Sequence, residues 1–511
     1  MKDADLSTLH MPLYIGGKWV DTPTRDEIRS PTDGHLVGTA AHGGTEEMAQ
    51  AIAAAKAAHD DGDWRRLDPD ERADIMQAIS DAMNDHLEEL CDLHVRENGV
   101  TMRAAIAFHV GYSIAHLRYF ADCARTYEFE KPGPMLEFPT LAAGLVRKEP
   151  VGVCGAIVPW NFPLLLAIWK IGPALAAGNT IVVKADEKTP LILLKFAEIA
   201  HQCGLPPGVL NVVTGNGEEV GAQLAAHPDV RKIAFTGSTE VGKLVQKAAA
   251  DNLKKVTLEL GGKGPNIVLE DADLREAVDG TIFAFLVYGG QACESGTRLL
   301  LHDKIYDQFM EALIARTKTV RLGDPMDFDT DMGPMISAEQ KARIMSYIEK
   351  GRAEGATLAL GGGSPDVVDH GHWVEPTIFT DVTNDMTIAR EEIFGPVLSV
   401  IRIHSDEEAI AIANDTEYGL SAGVWTNDTE RGIEIARKIE SGTVWVNDWH
   451  MVNHLYPFGG YKQSGLGREL GPNAMDEYTE AKFIHADMTR NLDAHIFDVV
   501  VSTTWEEMND A

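Results

Sequence analysis

The fold is decided between residues 151 and 262, where five apolar segments read VGVCGAIVP (151–159), NTIVVKA (179–185), VLNVVTG (209–215), KIAFTGS (232–238) and KKVTLELGG (254–262). Gly or Pro bounds these segments, and stretches of helical pattern such as TEVGKLVQKAAAD (239–251) separate them. Strands that alternate with helices indicate right-handed βαβ crossovers and a parallel, doubly wound sheet. Because such sheets bind ligands at the carboxyl ends of their strands, a site is expected at that edge.

A second α/β succession follows from residue 262 to residue 462. Its strand-like segments are NIVLE (266–270), TRLLLH (297–302), LSVIRI (398–403), SAGVWT (421–426) and GTVWVN (442–447). Two doubly wound α/β lobes are therefore predicted, and the junction between two lobes is a natural cleft. Residues 129–147 carry little helical pattern and EAKFIHADM (480–488) is strand-like, so both are expected outside the lobes, pairing across subunits.

Two helices are predicted upstream of the lobes. Residues 45–58 have helical propensity throughout, and residues 69–95 repeat apolar side chains at helical spacing among many acids. Both are interpreted as surface helices. The acidic excess between residues 60 and 97 is interpreted as a solvated face rather than a binding tail.

Composition excludes several classes of protein. The chain has 511 residues, of which 44% are hydrophobic and 24% charged, as in an ordinary globular protein and unlike a disordered chain or a small disulfide scaffold. Its formal net charge of -33 repels phosphate backbones and anionic lipids. Neither nucleic acid nor a membrane is therefore expected as a partner.

Cysteine usage and hydropathy predict a cytoplasmic protein. The five cysteines form no CxxC pair, and residues 1–20 carry early acids instead of a continuous apolar signal segment. Residues 151–169 are the best candidate for a membrane span, but Pro159, Asn161 and Pro163 would break its internal hydrogen bonding. That stretch is interpreted as a strand, a turn and the start of a helix.

Two motifs suggest catalysis through a thiol. In YGGQACESGTRLLL (288–301) a glycine-rich turn presents Cys293 before a strand, and a thiolate is a strong nucleophile. In VPWNFP (158–163) two prolines hold Asn161 as an oxyanion donor requires, although a rigid turn with a solvent-facing Asn gives the same pattern. The other four cysteines are interpreted as buried and inert, including Cys154 in its apolar strand.

Two glycine turns compete for a cofactor phosphate. FTGSTEVG (235–242) places Gly237 and Ser238 between a strand and a helix, where free backbone amides point at a ligand. GNGEEVG (215–221) is closer in form to a dinucleotide fingerprint, but it has one residue too many and places two acids where the phosphate would lie. The first turn is the better candidate.

Glu259 ends a strand beside a Gly pair in TLELGGKGPNIV (257–268). That position suits a general base, although a salt-bridged structural acid gives the same pattern. His450 and His454 are spaced as a metal pair on a helix, but no third ligand neighbours them and the segment has a loop pattern. No metal site is predicted.

Taken in order, these motifs closely resemble those of the NAD(P)-dependent aldehyde dehydrogenase superfamily. The resemblance covers residues 14–488 and rests on PWNFP (159–163), FTGSTEVG (235–242), LELGGK (258–263), GQAC (290–293) followed by Arg298, EEIFGPV (391–397) and PFGGYKQSGLGRELG (457–471). It implies an α/β, aldehyde dehydrogenase-like fold of two lobes with a small β oligomerisation element. Family members are usually dimers or tetramers, so a homo-oligomer is expected.

The resemblance also implies a division of the chain into domains. They are an NAD-binding domain (1–128 and 151–261), a catalytic domain (262–462), an oligomerisation element (129–150 and 478–488) and a C-terminal tail of unassigned role (489–511).

The chemistry implied by the resemblance is NAD-dependent oxidation of a small-molecule aldehyde to a carboxylic acid. Cys293 would carry first a thiohemiacetal and then a thioester, while Asn161 and the Cys293 amide hold the oxyanion. Glu259 would activate the water that releases the acid. Lys170 and Glu469 match a proton-relay pair.

The resemblance places NAD as the cofactor. Lys184 and Glu187 match the positions that hold the adenosine ribose, and Glu187 would repel a 2′-phosphate, which favours NAD over NADP. Ser238 matches the pyrophosphate contact, and Glu392 with Phe394 matches the nicotinamide-ribose side. The positions assigned to the cofactor are Ile157, Pro159, Trp160, Lys184, Glu187, Gly217, Phe235, Gly237, Ser238, Val241, Gly242, Leu260, Glu392 and Phe394.

Glu294 departs from the family pattern, in which small neutral residues usually follow the nucleophile. An inward-pointing acid would raise the pKa of Cys293 and disfavour anionic semialdehydes; alternatively, Glu294 turns away into a salt bridge. Neutral aldehydes, aromatic or medium aliphatic, are the expected substrates. The substrate tunnel is expected to contain Tyr112, Trp169, Val287, Glu294, His450 and Phe458.

Two other functions remain open at the level of sequence. A cysteine esterase or amidase would acylate Cys293 and deacylate through Glu259, but it would leave Lys184, Glu187 and the Gly237 turn without a purpose. A non-catalytic binding relative would not need the intact nucleophile, base and oxyanion donor.

Overall fold

The N-terminal residues build short strands before any long helix forms. The structure is a computed structural model that describes residues 9–365, 367 and 369–509. The first strands are β1 (His10–Met11), β2 (Leu13–Ile15), β3 (Lys18–Val20), β4 (Arg25–Arg29) and β5 (Leu36–Ala41). β1, β5 and β4 form a small sheet of their own, whereas β2 and β3 join a larger sheet.

Five helices follow, and the predicted helix over residues 69–95 is divided into two. They are α1 (Thr45–Asp60), α2 (Pro69–Asp85), α3 (Leu87–Asn98), α4 (Met102–Ala104) and α5 (Gly111–Thr126). Asp68 starts α2 with a capping box to Glu71, and Pro69 takes the first helical position. The single long helix was wrong because His86 adopts a non-helical ψ of 12° between α2 and α3.

The interpretation of both segments as surface helices also fails for α3. Most of its residues are buried, and Glu97 is only 1% exposed. The Glu97 carboxylate accepts the backbone N–H groups of Leu191 and Ile192 at 3.0 and 3.1 Å. This acid therefore caps a neighbouring helix instead of facing solvent.

The five predicted parallel strands of the first lobe are all present. After β6 (Glu130–Pro132) and β7 (Ala142–Pro150) come β8 (Val153–Ile157), β9 (Thr180–Lys184), β10 (Leu210–Val213), β11 (Val230–Thr236) and β12 (Lys255–Glu259). The intervening helices are α6 (Pro163–Ala176), α7 (Leu191–Gln202), α8 (Ala222–Ala226) and α9 (Thr239–Ala249). The strand order β12-β11-β8-β9-β10 reverses direction between β8 and β11, which is where a doubly wound sheet opens a ligand crevice.

The stretch interpreted as strand, turn and helix start is confirmed as β8 and α6. Every residue of α6 is buried, including Lys170. The helix packs tightly against α5, since a Cβ on Gly172 would lie 2.3 Å from the Phe120 ring. Among the residues that the structure describes, no helix is both long and apolar enough to cross a membrane.

The second lobe contains the five predicted strands and two that the sequence did not indicate. Its strands are β13 (Pro265–Val268), β14 (Arg298–His302), β15 (Thr357–Leu360), β16 (Thr377–Thr380), β17 (Val397–Ile403), β18 (Ser421–Trp425) and β19 (Thr443–Val446). Its helices are α10 (Leu274–Leu286), α11 (Tyr306–Thr317), α12 (Ala338–Ala353), α13 (Thr387–Arg390), α14 (Asp406–Asn414) and α15 (Thr429–Ala436). The sheet order is β15-β16-β17-β14-β13-β18-β19, and only the pairing of β15 with β16 is antiparallel among these described strands.

Antiparallel strands close both edges of the first sheet. β2 pairs with β10 on one side, and β20 (Gly465–Leu466) pairs with β12 on the other. β20 places Gly465 directly opposite Glu259. The chain thus returns from the second lobe to the candidate base.

The two segments left outside the lobes pair with each other within the chain. β21 (Thr479–Asp487) runs antiparallel to β7 over its whole length, and β6 adds a third strand. The tail beyond this sheet ends in the short helix α16 (Trp505–Asn509) and exposes apolar side chains such as Val500.

Candidate active site

A left-handed backbone turn presents Cys293. Tyr288, Gly289 and Gly290 follow one another with φ values of 48°, 61° and 72°. A Cβ on Gly290 would lie 2.3 Å from the carbonyl oxygen of Gly395, so a larger residue cannot occupy that position. The Tyr288 hydroxyl donates to the carbonyl of Asn98 at 2.8 Å. Tertiary contacts therefore fix the turn that leads to the thiol.

Cys293 borders two cavities of different character. A wide cleft of about 650 Å³ is lined by the strand ends and following loops of the first lobe and by a helix and loops of the second. A narrow pocket of about 40 Å³ lies beside it and is lined mainly by aromatic and aliphatic side chains. Cys293 lines both cavities, so a ligand in either one lies against this residue.

Asn161 is directed at the segment that carries the nucleophile. The residue is 4% exposed, and its Nδ2 donates to the carbonyl oxygen of Gln291 at 3.0 Å. Gly262 lies close to the backbone of Cys293, since a Cβ on Gly262 would be 2.4 Å from the Cys293 carbonyl oxygen. One hydrogen of the Asn161 amide is used by Gln291, and the amide carries a second.

Glu259 is a buried acid at the carboxyl end of β12. It is 2% exposed, and neither of its carboxylate oxygens has a hydrogen-bond partner among the described residues. Gly459 allows the close approach, because a Cβ there would lie 2.8 Å from Glu259 Oε1. Burial raises the pKa of Glu259 well above its usual value, with the charge of Glu469 adding to the effect and Lys170 opposing it. The alternative of a salt-bridged structural acid does not describe this side chain.

Lys170 and Glu469 form a buried ion pair. Lys170 Nζ donates to the two Glu469 oxygens at 2.8 and 3.1 Å and to Thr236 Oγ1 at 2.8 Å. Thr236 is the register partner of Glu259 between β11 and β12. The structure thus brings the predicted relay pair next to the candidate base.

Glu294 satisfies both of the arrangements that the sequence left open. Its Oε2 accepts the Cys293 thiol at 3.2 Å, so the acid points into the site. Its Oε1 lies 3.0 Å from His450 Nδ1, so it also forms a salt bridge. Burial alone would raise the pKa of Glu294, but the hydrogen bond and charge of His450 outweigh burial and lower it.

Cys293 itself is strongly disfavoured as a thiolate. Burial raises the pKa of its thiol well above the usual value, and the neighbouring charge of Glu294 raises it further. Of the other four cysteines, three are buried and Cys203 is partly exposed, so the interpretation that all four are buried is wrong for Cys203.

All six residues predicted for the substrate tunnel line the narrow pocket. The sequence missed a further group that lines it, namely Phe108, Phe162, Leu165, Leu166 and Val452. A signal was present, since Phe162, Leu165 and Leu166 are spaced with Trp169 on one face at the start of α6.

The predicted ribose-binding residues lie together at the far end of the first sheet. Lys184 Nζ is 3.1 Å from Glu187 Oε2, and Gly217 N–H donates to Glu187 Oε1 at 2.9 Å. Burial opposes ionisation of Glu187, but Lys184 outweighs it and lowers the pKa. The GNGEEVG turn therefore contributes a backbone donor that orients this acid.

The Gly237 turn lies at the switch point of the first sheet and lines the wide cleft. Ser238 caps α9, its hydroxyl accepting Val241 N–H at 3.3 Å. Gly242 packs against Leu260, where a Cβ would lie 2.4 Å from Cδ2. Ile157 and Phe235 are register partners on β8 and β11, directly before the two loops that form the crevice.

The second lobe contributes the opposite wall of the cleft. The Trp160 and Phe394 rings lie edge to face at 5.4 Å, and Glu392 Oε1 accepts Gly262 N–H at 2.9 Å. Burial raises the pKa of Glu392 to about 7.

The cleft also contains residues that the sequence did not indicate, including Gln340, Arg343, Glu417 and Tyr418. Gln340 and Arg343 of α12 donate to the carbonyls of Phe394 and Glu392 and so hold that loop.

The sequence is similar to that of a known protein family and of its members. The model of the Aldehyde dehydrogenase family matches residues 19–484. Betaine aldehyde dehydrogenase of Bacillus subtilis is 44% identical over 482 residues, which cover 93% of this chain and 96% of that protein. The mitochondrial aldehyde dehydrogenase of Homo sapiens is 41% identical over 476 residues, covering 92% of this chain and 91% of that protein.

Solved structures agree with the sequence relatives. The NAD+ complex of an aldehyde dehydrogenase from Bacillus cereus superposes with a TM-score of 0.91 at 42% identity, covering 94% of this chain and 97% of that one. An NAD-dependent aldehyde dehydrogenase from Sinorhizobium meliloti superposes with a TM-score of 0.93 at 39% identity, covering 97% of this chain and 98% of that one.

Proposed function

The chain belongs to the aldehyde dehydrogenase family, whose members are oxidoreductases acting on the aldehyde group, and from that premise we propose that it oxidises a neutral aldehyde to a carboxylic acid with NAD. The observation that carries the proposal is the position of Cys293. It borders both the wide cleft, where Asn161 and Glu259 lie, and the narrow apolar pocket. A thiol in that position can meet a substrate from one side and a cofactor from the other.

The wide cleft, together with Glu187 at the far end of the first sheet, offers donors and glycines that fit a dinucleotide. Glu187, partly exposed and anchored by Lys184, offers carboxylate oxygens to ribose hydroxyls. The start of α9 offers backbone amides to a pyrophosphate, and Gly261 keeps the backbone close to Glu392, where a Cβ would lie 2.6 Å from Oε2. When bound, NAD supplies an acceptor for the hydride that leaves the substrate carbon.

Cys293 and Asn161 carry the first half of the proposed reaction. The Cys293 thiol releases its proton to solvent, the sulfur bonds to the aldehyde carbon, and the electron pair of the carbonyl π bond moves to the oxygen, which takes the negative charge of the thiohemiacetal. The second hydrogen of the Asn161 amide and the Cys293 backbone N–H stabilise that oxygen. Because the hydrogen bond to Gln291 already orients Asn161, its side chain needs little rearrangement to stabilise the oxyanion.

Glu259 carries the second half. Cys293 holds the acyl group as a thioester, and Glu259 takes a proton from the water that attacks it. Its oxygens are unpartnered among the described residues, and its raised pKa makes it a stronger base than a surface carboxylate. Lys170 and Glu469 stabilise its surroundings as a buried pair and offer a route for the released proton.

The substrate class follows from the charge of the narrow pocket. Glu294 places a carboxylate beside Cys293 and so disfavours an anionic semialdehyde there. The aromatic lining, including Tyr112, Trp169 and Phe458, suits an aromatic or medium aliphatic chain. NADP is disfavoured because its 2′-phosphate would lie against the ionised Glu187.

The test is NADH formation with a panel of aromatic, aliphatic, cationic and anionic aldehydes, using NAD and NADP in parallel. We expect the neutral aldehydes to give the highest kcat/KM and NAD to exceed NADP. Succinate semialdehyde as the best substrate would contradict the substrate class. Ester cleavage without reduction of either cofactor would favour a cysteine esterase instead.

We extend the proposal to assembly and setting. The oligomerisation element of residues 129–150 and 478–488 exposes apolar side chains such as Phe483, which is 62% exposed, and supports a homodimer or homotetramer. Residues 1–128 with 151–261 form the proposed NAD-binding domain, and 262–462 the catalytic domain. All five cysteines are unpaired, which supports a reducing, cytoplasmic setting.

A further inference from the structure

Glu294 lies in a row of hydrogen bonds that ends behind His450. On its far side, His450 Nε2 lies 3.2 Å from the carbonyl oxygen of Ala284. A carbonyl can only accept, and Nδ1 faces the Glu294 carboxylate. The row therefore joins His450 to a carboxylate that also faces the thiol.

The backbone of Glu294 is fixed by two hydrogen bonds, and His450 holds its carboxylate beside Cys293. Its carbonyl oxygen accepts Ser421 Oγ and Trp449 Nε1, each at 2.9 Å. The residue is 8% exposed, and the Phe283 ring packs edge-on against His450 at 5.3 Å. The carboxylate is held in place before any ligand arrives.

Three carboxyl groups act on the Cys293 thiol, and they differ in ionisation. Burial raises the pKa of Glu259 well above its usual value and that of Glu392 to about 7, whereas His450 keeps the pKa of Glu294 low. Tyr112 lines the pocket from the other side and stays neutral, because burial raises its pKa. Glu294 is thus the neighbour that carries a full charge at neutral pH.

We propose that Glu294, held by His450, is a positioning residue that keeps Cys293 a protonated thiol in the resting protein and so protects it from electrophiles. A carboxylate accepts a hydrogen bond from a thiol but repels a thiolate at the same distance. The inference rests on the proposed function, since it takes Cys293 as the nucleophile. Glu294 would then determine the conditions under which that nucleophile becomes reactive.

The test is the rate at which iodoacetamide alkylates Cys293 from neutral to alkaline pH, measured by peptide mass. In this reaction sulfur bonds to carbon, iodide leaves and the thiol proton passes to buffer. We expect Glu294→Gln to raise the rate at neutral pH by about tenfold or more, because removing a like charge lowers a thiol pKa by about one unit or more. The pH at which the rate levels off should fall as well, because it follows the thiol pKa.

Glu417→Gln is the matched control. It removes a carboxylate from the exposed wall of the wide cleft, where solvent screens its charge, so its rate at neutral pH should stay within about twofold of wild type. Cys203→Ser in all variants removes the partly exposed competing thiol. Glu294→Asp keeps the charge and should remain slow, which separates charge from packing.

An unchanged or slower rate in Glu294→Gln would overturn the proposal, as would equal acceleration in Glu417→Gln or in Glu294→Asp. Alkylation needs neither NAD nor aldehyde. Failure of the proposed function would instead appear as absence of NADH formation by the wild-type protein with every aldehyde, whatever the alkylation rates.

Discussion

Glu259 lines the wide cleft and Glu294 lines the narrow pocket, and Cys293 borders both. The first acid ends a strand of one lobe, has no hydrogen-bond partner among the described residues and is held towards its protonated form. The second is anchored by His450 and stays ionised. Two carboxyl groups of equal intrinsic acidity thus differ through burial and partners alone, which suits one to accept a proton and the other to hold one in place.

The largest effect should come from removing the acid on the cleft side. Glu259→Gln is expected to lower steady-state turnover by about 10²–10⁴-fold while still allowing one rapid burst of NADH for each active site. Since only ionised Glu259 can accept a proton, and its pKa is raised, wild-type deacylation should rise with pH and this rise should vanish in the variant. Burst kinetics across pH measure both. Normal steady turnover in the variant would remove Glu259 from the role of base.

A smaller loss is expected from the oxyanion donor that serves the same carbonyl. Asn161→Ala should lower kcat by about 10²–10³-fold with little change in KM, because the amide contributes most once the oxygen is charged. Steady-state kinetics with a neutral aldehyde provide the check. A rise in KM with kcat intact would instead make Asn161 a binding residue.

The buried pair behind Glu259 should affect stability more than chemistry. Lys170→Met leaves Glu469 without its partner in a buried site and is expected to cost about 3–5 kcal/mol in the free energy of unfolding. Denaturant unfolding measures the loss. The double variant Lys170→Met with Glu469→Leu should recover a large part of it, and equal loss in both variants would show that the ion pair is not the cause.

The sequence predicts the parts of this molecule that repeat along the chain. The five central strands of each lobe and the turns around Asn161, Ser238 and Cys293 are where the alternation of apolar runs and glycines indicates. The antiparallel edges formed by β2 and β20 were not predicted, because each is too short to show a periodic pattern and is fixed by its partner strand. The break at His86 was missed for a related reason, since apolar spacing continues across it.

The two acids show the same limit at the site. The neighbouring sequence predicts the position of Glu259 at a strand end, but it does not predict that the carboxylate lacks hydrogen-bond partners among the described residues. Glu294 could be given two orientations because its partner His450 comes from a loop far along the chain. Side-chain direction depends on such distant contacts, and so the narrow pocket could be named only in part.

The most direct test of the account is to trap the acyl group. Glu259→Gln incubated with NAD and a neutral aldehyde should gain the mass of one acyl group, and digestion should place it on the peptide that contains Cys293. Loss of the adduct when Cys293→Ala is added would complete the assignment. A variant that turns over slowly but carries no acyl group, or carries it on another residue, would contradict the central claim that Cys293 is the nucleophile and Glu259 the base that frees it.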